Sequence, residues 1–335
     1  MKISLYSLLV KRVSYSPCLS RVAFGALNSG FCMKLPFYRF LLRKQIESVK
    51  RRNSFFPRVV AAENTNICNA RCVMCPYTKM RRRQGFMDMA LYRKIVDECA
   101  EYQGVELRLT GFGEPLLDKK LIERITYAKQ KGIEKVQLTT NASLLDKEIA
   151  ANILDSGLDE IMFSVDGYDE ESYERIRVGL SFDRVYENLK LFRQLRGGHK
   201  KPKTIASIIC FKEYGGHMKE MIRLWGECAD HLFIKPPEDW AGEVADLKGK
   251  AVGDDVHFPC PYLWTQFLIT WDGIVGLCCR DFCNIRISIG NVTHESIHDI
   301  WHGATLRKLR EIDAAGRTLE PCLHCAYAQN WWGER

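Results

Sequence analysis

Three cysteines on one short stretch have the spacing of a reactive metal site. Cys68, Cys72 and Cys75 are separated by three and then two residues, and they follow the strand-like run 59–62. Three thiolates on one loop can ligate three irons of a cubic iron-sulfur cluster, which leaves the fourth iron without a protein ligand. An open coordination position is typical of a reacting metal site. A zinc knuckle is the alternative, although zinc sites favour two-residue spacings closed by a fourth ligand.

A second group of cysteines lies near the carboxyl end of the sequence, and its members are Cys260, Cys278, Cys322 and Cys325. Between the first two, residues 267–278 contain two apolar runs around Asp272 and Gly273. Apolar runs joined by an Asp-Gly turn predict a β-hairpin. Because four thiolates also suit a single zinc ion, a structural zinc site is an alternative for this group.

Strand-like and helix-like stretches alternate through the middle of the chain. The strand-like runs are 59–63, 105–110, 135–140, 160–165, 204–210 and 231–235. The stretches between them carry apolar residues at three- and four-residue spacing, as at Leu91, Ile95 and Cys99, which predicts helices. This alternation predicts an α/β fold with a parallel sheet, a partial (β/α)6 TIM-like barrel. In parallel barrels the working residues lie at the carboxyl ends of the strands.

The cysteine triplet and the turn after the second predicted strand together resemble the radical S-adenosylmethionine (SAM) enzymes. That turn contains Gly111, Gly113 and Glu114, and it is similar to the family's Gly-Gly-Glu-Pro motif with Phe112 in place of the second glycine. The resemblance implies that the triplet binds a [4Fe-4S] cluster whose open iron is chelated by SAM. The reduced cluster then cleaves SAM, and the 5'-deoxyadenosyl radical takes a hydrogen atom from the substrate.

The same resemblance implies SAM contacts at the ends of three strands. In the glycine-rich turn, Glu114 would accept hydrogen bonds from the SAM amino group. The other implied contacts are Asn141, Ser164, Asp166 and Arg177. Asn141 and Asp166 are also good helix-capping residues, and a solvated helix charge is the alternative for Arg177.

The carboxyl-terminal region resembles the SPASM and twitch extensions of the same enzymes. The similar features are Gly273 followed after four residues by Cys278, and the dipeptide Gly290-Asn291 before a helix-like stretch. Full SPASM domains carry seven cysteines for two clusters, whereas the four cysteines of the second group match the shortened twitch pattern. The resemblance therefore implies one auxiliary [4Fe-4S] cluster, closed by four ligands, in a small cysteine-rich α+β domain. The sequence assigns no role to Cys279 and Cys283.

Composition and charge limit the partners. The 335 residues are 46% hydrophobic and 27% charged, and 14 cysteines that include a metal triplet favour a reducing, cytoplasmic compartment. Residues 1–58 carry +11, and a net charge of +8 therefore leaves −3 for the rest. An acidic body lacks the basic groove expected for RNA. We expect the basic arm to pack over the barrel, with contact to an anionic membrane surface or organelle targeting as alternatives.

The sequence thus divides into four segments, a basic N-terminal arm at 1–58, a radical SAM core at 59–237, a linker at 238–259 and an auxiliary-cluster domain at 260–335. An auxiliary cluster near the substrate suggests oxidation, because the substrate radical must give up an electron. Relatives with such extensions act on peptides and proteins or on aminosugars and cyclitols. The arm shows no winged-helix pattern for peptide binding, so we expect oxidation of a secondary alcohol in a sugar- or cyclitol-like small molecule.

Two alternatives are a peptide- or protein-modifying maturase and a non-catalytic metal-stabilised scaffold. The resemblance also implies an electron donor such as flavodoxin or ferredoxin. In protein-oxidising relatives an aspartate base follows the Gly-x4-Cys cysteine, whereas Cys279 occupies that position here. Asp281 or Arg280 is therefore the candidate catalytic base, a role that geometry decides.

Overall fold

The structure is a computed structural model, and it describes residues 44, 47–244, 260–315, 320, 322 and 325. Most of the basic arm, for which membrane contact was an alternative, and most of the predicted linker lie outside these residues. Within the described part of the chain, no helix has the length and apolar character needed to cross a membrane.

Six parallel strands form most of one sheet. They are β1 Val59–Ala62, β2 Glu106–Leu109, β3 Lys135–Thr140, β4 Glu160–Ser164, β5 Lys203–Ile209 and β6 His231–Lys235. In the order β6-β5-β4-β3-β2-β1 each strand lies beside its neighbour in sequence, and the sheet then continues past β1 instead of closing on β6. The predicted α/β fold with a partial barrel is confirmed, and each strand begins and ends within one residue of its predicted bounds.

Helices connect these strands. They are α1 Met89–Ala100, α2 Leu121–Gln130, α3 Lys147–Asp155, α4 Glu170–Ile176, α5 Phe182–Arg196 and α6 Met218–Gly226. The first shows why the sequence folds in this way, because Asp88 accepts a hydrogen bond from the Ala90 backbone N–H at its amino end. Its apolar stripe, including Tyr92 and Ile95, is fully buried against the sheet. Short 3-10 turns occupy Pro76–Lys79, Pro115–Leu117 and Lys212–His217.

The carboxyl-terminal region extends the same sheet. Its elements are α7 Tyr262–Thr265, β7 Gln266–Ile269, β8 Ile274–Gly276, β9 Ser288–Asn291, α8 Ile297–Trp301 and α9 Ala304–Ala314. Strand β7 pairs in parallel with β1, and β7, β8 and β9 are antiparallel. The predicted hairpin is confirmed, and Gly273 in its turn has a φ of +90° that favours glycine. The auxiliary region is therefore joined to the barrel by backbone hydrogen bonds.

The described end of the N-terminal arm packs between the two regions. The Phe56 ring stacks on Tyr102 of the barrel, with 4.0 Å between ring centroids. The indole N–H of Trp301 in α8 donates to the carbonyl of Asn53 at 2.8 Å. For residues 53–56, packing over the barrel is thus the observed arrangement.

Candidate active site

The cysteine triplet lies on the loop that follows β1, and all three side chains are partly buried. Backbone hydrogen bonds tie this loop to the end of α4, since the N–H groups of Arg71 and Val73 donate to the carbonyls of Val178 and Ile176 at 2.8 and 3.0 Å. The triplet is therefore fixed against the segment that carries Arg177.

The glycine-rich turn after β2 packs directly on the start of the triplet loop. The N–H of Glu114 donates to the carbonyl of Ile67 at 2.8 Å. A Cβ atom on Gly113 would lie 2.2 Å from the backbone oxygen of Thr65. Because a backbone atom cannot move aside as a flexible side chain can, this close approach requires glycine.

The Glu114 carboxylate is buried and links the ends of β2 and β3. It accepts hydrogen bonds from the Thr140 hydroxyl at 2.6 Å, the Asn141 N–H at 2.7 Å and the Leu116 N–H at 3.1 Å. Burial raises its pKa, and the Asn141 N–H opposes that rise most strongly. A carboxylate can accept about four hydrogen bonds, so Glu114 retains capacity for one further donor.

A second link joins the end of β3 to the triplet loop itself. The Asn141 side-chain amide donates to Asn69 Oδ1 at 2.9 Å, and Asn69 in turn donates to the hydroxyl of Ser143 at 2.9 Å. Asn69 lies between the first two triplet cysteines, so Asn141 orients the loop that carries them. At the end of β4, the Ser164 hydroxyl is half-buried and makes no hydrogen bond to the described residues.

Arg177 lies beside both Asp166 and the triplet. Its Nε donates to Asp166 Oδ2 at 2.7 Å, and its Nη1 lies 3.7 Å from the Cys72 Sγ. Burial alone would lower the pKa of Arg177, but Asp166, Cys72 and Tyr173 together more than offset this effect and the pKa is raised. Asp166 also accepts from the Ile209 N–H at 2.5 Å. Arg177 is thus part of a buried ion pair next to a triplet cysteine, and not the solvated helix charge that was the alternative.

The cysteines of the two groups suit a cationic cluster. Burial raises the pKa of Cys75 to about 12 and that of Cys68 to about 11 in the triplet. In the second group the pKa of Cys278 is raised to about 12, mainly by burial and in addition by the neighbouring Cys325 and Cys322. Thiols with such a pKa are protonated at neutral pH, and a bound cationic metal supplies the charge that would hold them as thiolates. Both groups therefore fit an iron-sulfur cluster.

The donor spacing also bears on the kind of metal. A cluster uses one cysteine for each of its irons, whereas the ligands of a single zinc ion all lie within about 2.3 Å of it. Across the residues that the structure describes, no three His, Cys, Asp or Glu side chains are arranged for a single ion.

The loop after β8 packs against the triplet loop. The Cys283 thiol lies 3.3 Å from the carbonyl of Pro76, just after the triplet, and the indole N–H of Trp240 donates to the carbonyl of Met74 at 2.7 Å. Phe112 and Phe282 stack in the same contact, with ring centroids 6.3 Å apart. Cys283, which had no role assigned from sequence, is a small buried residue in this contact.

The two candidate bases lie on this loop. Asp281 is 2% exposed, and it accepts hydrogen bonds from Arg286 Nε at 2.9 Å and from the Ile287 N–H at 3.0 Å. Arg280 is also buried, and its Nη2 lies 3.4 Å from Glu238 Oε2. Asp281 therefore anchors its own loop in this structure, and a catalytic role for either residue stays a prediction.

Glu63 and Arg82 are site residues that the sequence did not identify. Arg82 donates through both terminal nitrogens to the fully buried Glu63 carboxylate at 2.7 and 2.8 Å, and its Nε donates to the Cys283 carbonyl at 2.9 Å. The position of Glu63 directly after β1 was a usable signal, because barrel sites lie at strand ends. The sequence offered no usable signal for Arg82, because it belongs to a run of three arginines that is typical of a solvated surface.

Comparisons with known proteins agree with this geometry. The Radical SAM superfamily matches residues 63–224, and the iron-sulfur cluster-binding domain called SPASM matches residues 260–326. This chain belongs to the radical SAM superfamily and carries a C-terminal SPASM domain. Its cofactors are accordingly SAM, a SAM-binding [4Fe-4S] cluster and an auxiliary iron-sulfur cluster of the kind that SPASM domains bind.

Among curated relatives, a tungsten-containing aldehyde ferredoxin oxidoreductase cofactor-modifying protein of Pyrococcus furiosus is 24% identical over 71% of this chain and 79% of its own length. A probable GTP 3',8-cyclase of Methanococcus maripaludis is 33% identical, but the match spans only 37% of this chain and 41% of the cyclase.

Two solved structures share the fold. BtrN in complex with AdoMet and 2-DOIA superposes with a TM-score of 0.57 at 19% identity, over 78% of this chain and 88% of BtrN. Streptococcus suis SuiB bound to its precursor peptide SuiA superposes with a TM-score of 0.65 at 15% identity, over 89% of this chain and 76% of SuiB.

Proposed function

We propose that this protein is a radical SAM oxidoreductase that oxidises a secondary alcohol of a sugar- or cyclitol-like small molecule. The contact between the loop after β8 and the triplet loop carries this proposal. Cys283 touches Pro76 there at 3.3 Å, and Arg82 bridges Glu63 and the Cys283 carbonyl. Cys278 lies five residues before Cys283 on the same loop, so we infer a short electron path from a substrate bound near the triplet to the auxiliary cysteines.

The ligand assignments follow the two cysteine groups. Cys68, Cys72 and Cys75 would hold the SAM-binding cluster, and the second group would hold one auxiliary cluster. When bound, these groups and SAM supply a radical that takes a hydrogen atom and an acceptor for one electron. The alcohol itself loses that hydrogen atom from carbon, a proton from oxygen and one electron, which is the balance of oxidation to a ketone. A flavodoxin or ferredoxin in a reducing compartment would be the external electron donor.

The chain's own residues would prepare the site. Glu114 offers a remaining acceptor position to the SAM amino group, while Asn141 and Arg177 keep the triplet loop in place through Asn69 and Cys72. For proton removal from the alcohol, Asp281 is our candidate base, and Arg280, whose guanidinium stays protonated, would act beside it as a hydrogen-bond donor. Replacing each in turn and finding unchanged turnover would dispose of that assignment.

A peptide-modifying maturase is the second candidate function. The higher TM-score with peptide-bound SuiB, 0.65 against 0.57 for BtrN, favours it. Coverage does not separate the two candidates, because the match takes in 88% of BtrN and 88% of a second structure of SuiB.

The test is anaerobic turnover of the reconstituted enzyme with a panel of aminosugars, cyclitols and short peptides. We expect a ketone product in equal amount to 5'-deoxyadenosine from one of the small alcohols. Cys278→Ala should still release 5'-deoxyadenosine but form at least about tenfold less ketone, because losing a ligand of the electron acceptor should cost no less than losing an outer-shell contact of a metal site. Cys99→Ala, which alters a buried cysteine of α1 away from the site, is the matched control. Ketone formation by Cys278→Ala at the control's rate would contradict the proposal.

A further inference from the structure

Asp239 is a buried carboxylate that the assigned site leaves unused. Its side chain is 2% exposed, and neither carboxylate oxygen has a hydrogen-bond partner among the described residues. Glu63, Glu114 and Asp166, the other buried carboxylates at the strand ends, each accept several hydrogen bonds. Because burying an ionised carboxylate without a partner is strongly unfavourable, a bound cationic donor would stabilise Asp239.

The position of Asp239 is next to the radical site. It follows the carboxyl end of β6, the strand end at which barrel enzymes place working residues. Its neighbour Trp240 donates to the Met74 carbonyl within the triplet and lies edge-on to Phe112, with 5.3 Å between ring centroids. The segment that carries Asp239 therefore packs beside the glycine-rich turn and the triplet.

The backbone around Asp239 is held in an unfavourable conformation. Trp240, Ala241 and Gly242 follow one another with φ values of 52°, 54° and 89°. A non-glycine residue in this region is uncommon, and such strain clusters at ligand sites. Arg286 donates to the Ala241 carbonyl at 3.3 Å, and Lys79 donates to the Glu243 carbonyl at 2.5 Å. The turn is thus held from the auxiliary side and from the triplet side.

The nearby cationic side chains are directed to another acid. Lys235 and Arg280 lie 3.5 and 3.4 Å from the Glu238 carboxylate. We propose that Asp239 binds an ammonium group of the substrate, which makes an amine-bearing alcohol the substrate class. This inference rests on the proposed function, and it assigns Asp239 a substrate-binding role rather than a structural one.

Thermal unfolding of the reconstituted holoenzyme with SAM tests this assignment without any turnover. Without substrate, Asp239→Asn should raise the Tm by about 2 °C or more, because it removes an unpartnered buried charge. Asp281→Asn is the matched control, since Asp281 is equally buried but accepts hydrogen bonds from Arg286 and Ile287. Its Tm should fall. A fall in the Tm of Asp239→Asn as large as that of the control would overturn the proposal.

Two binding measurements identify the source of the ammonium group. Methylammonium chloride, compared with sodium chloride at equal ionic strength, should raise the Tm of the wild type more than that of Asp239→Asn; equal shifts would overturn the proposal. SAM carries an ammonium group as well. We expect SAM affinity and substrate-free release of 5'-deoxyadenosine to change less than about threefold in Asp239→Asn. A tenfold loss of SAM affinity would assign Asp239 to SAM and contradict the substrate assignment. These readouts stay interpretable even if alcohol oxidation fails its own test.

Discussion

At the scale of single residues, polar groups of the site each join two neighbouring segments. Glu114 connects the ends of β2 and β3, Asn141 reaches Asn69 within the triplet loop, and Arg177 bridges Asp166 and Cys72. Outer contacts of this kind orient the ligands of a metal and tune its reactivity. The positions of the thiolates therefore depend on residues that ligate nothing themselves.

Arg177→Lys tests one such contact. Lysine keeps the positive charge but cannot reproduce the planar fork that joins Asp166 and Cys72. We expect SAM cleavage by the reconstituted enzyme to fall about 10- to 100-fold, measured as 5'-deoxyadenosine released per chain. Arg175→Lys changes an exposed arginine of the same helix end and should leave cleavage nearly unchanged. Equal rates for the two variants would show that the Arg177 fork is not needed.

Gly113→Ala tests the close packing of the glycine-rich turn. The added Cβ would lie 2.2 Å from the Thr65 carbonyl oxygen, so the two loops must separate. We expect a loss of about 3 kcal/mol in the free energy of unfolding, measured by urea titration under anaerobic conditions. Gly198→Ala, where no atom lies within 4 Å of the added carbon, should change it by less than about 0.5 kcal/mol. A stable, fully active Gly113→Ala enzyme would refute this explanation of the motif.

At the scale of elements, the sequence predicted what depends on local pattern. Strand bounds followed from apolar runs, and the glycine-rich turn and triplet were found from their spacing. The Glu63 and Arg82 pair was missed, because it joins residues from separate loops and no local pattern specifies the partner of a charge. Asp239 lies in a segment interpreted from sequence as a linker. Prolines and a lack of periodic apolar residues are typical of a linker, but they are equally typical of a constrained turn. The packing of its neighbour Trp240 on Met74 depends on the folded sheet.

An ion pair lies beside the edge between β5 and β6. Asp230 accepts hydrogen bonds from both terminal nitrogens of Arg196 at 2.5 and 2.6 Å, and from the Thr204 N–H at 3.0 Å. The Arg196 hydrogen bonds, despite partial burial, hold the pKa of Asp230 well below its usual range. The folded pKa is thus below the unfolded value of about 3.9. The stabilisation is complete above that value and is lost as the pH falls through the folded pKa.

Asp230→Asn should therefore lower the free energy of unfolding by roughly 1 kcal/mol at neutral pH, since solvent screens a partly exposed pair. The difference from wild type should shrink as the pH falls below about 4. Urea titrations at a series of pH values measure both effects. Asp155→Asn removes an exposed acid at the end of α3 and should have little effect at any pH. A difference that grew on acidification would contradict a stabilising role for the ionised Asp230 carboxylate.

At the scale of the whole molecule, one sheet carries both cysteine groups. Strand β1 lies between β2 and β7, so the strand that leads into the triplet is also paired with the hairpin that leads to Cys278. Side-chain contacts also join the loops that follow the strands. Arg82 donates to the Cys283 carbonyl in the loop after β8, and Trp240 donates to the Met74 carbonyl in the triplet loop. This shared sheet is the reason to expect a fixed separation between the two clusters.

The most direct test is the iron and zinc content per chain after anaerobic reconstitution, measured for the wild type and for Cys278→Ala. Two [4Fe-4S] clusters predict about eight irons and no zinc in the wild type, and about four irons in the variant. About four irons with one zinc in the wild type would contradict the two-cluster assignment. The radical chemistry would then remain, but the internal electron acceptor on which alcohol oxidation depends would be absent.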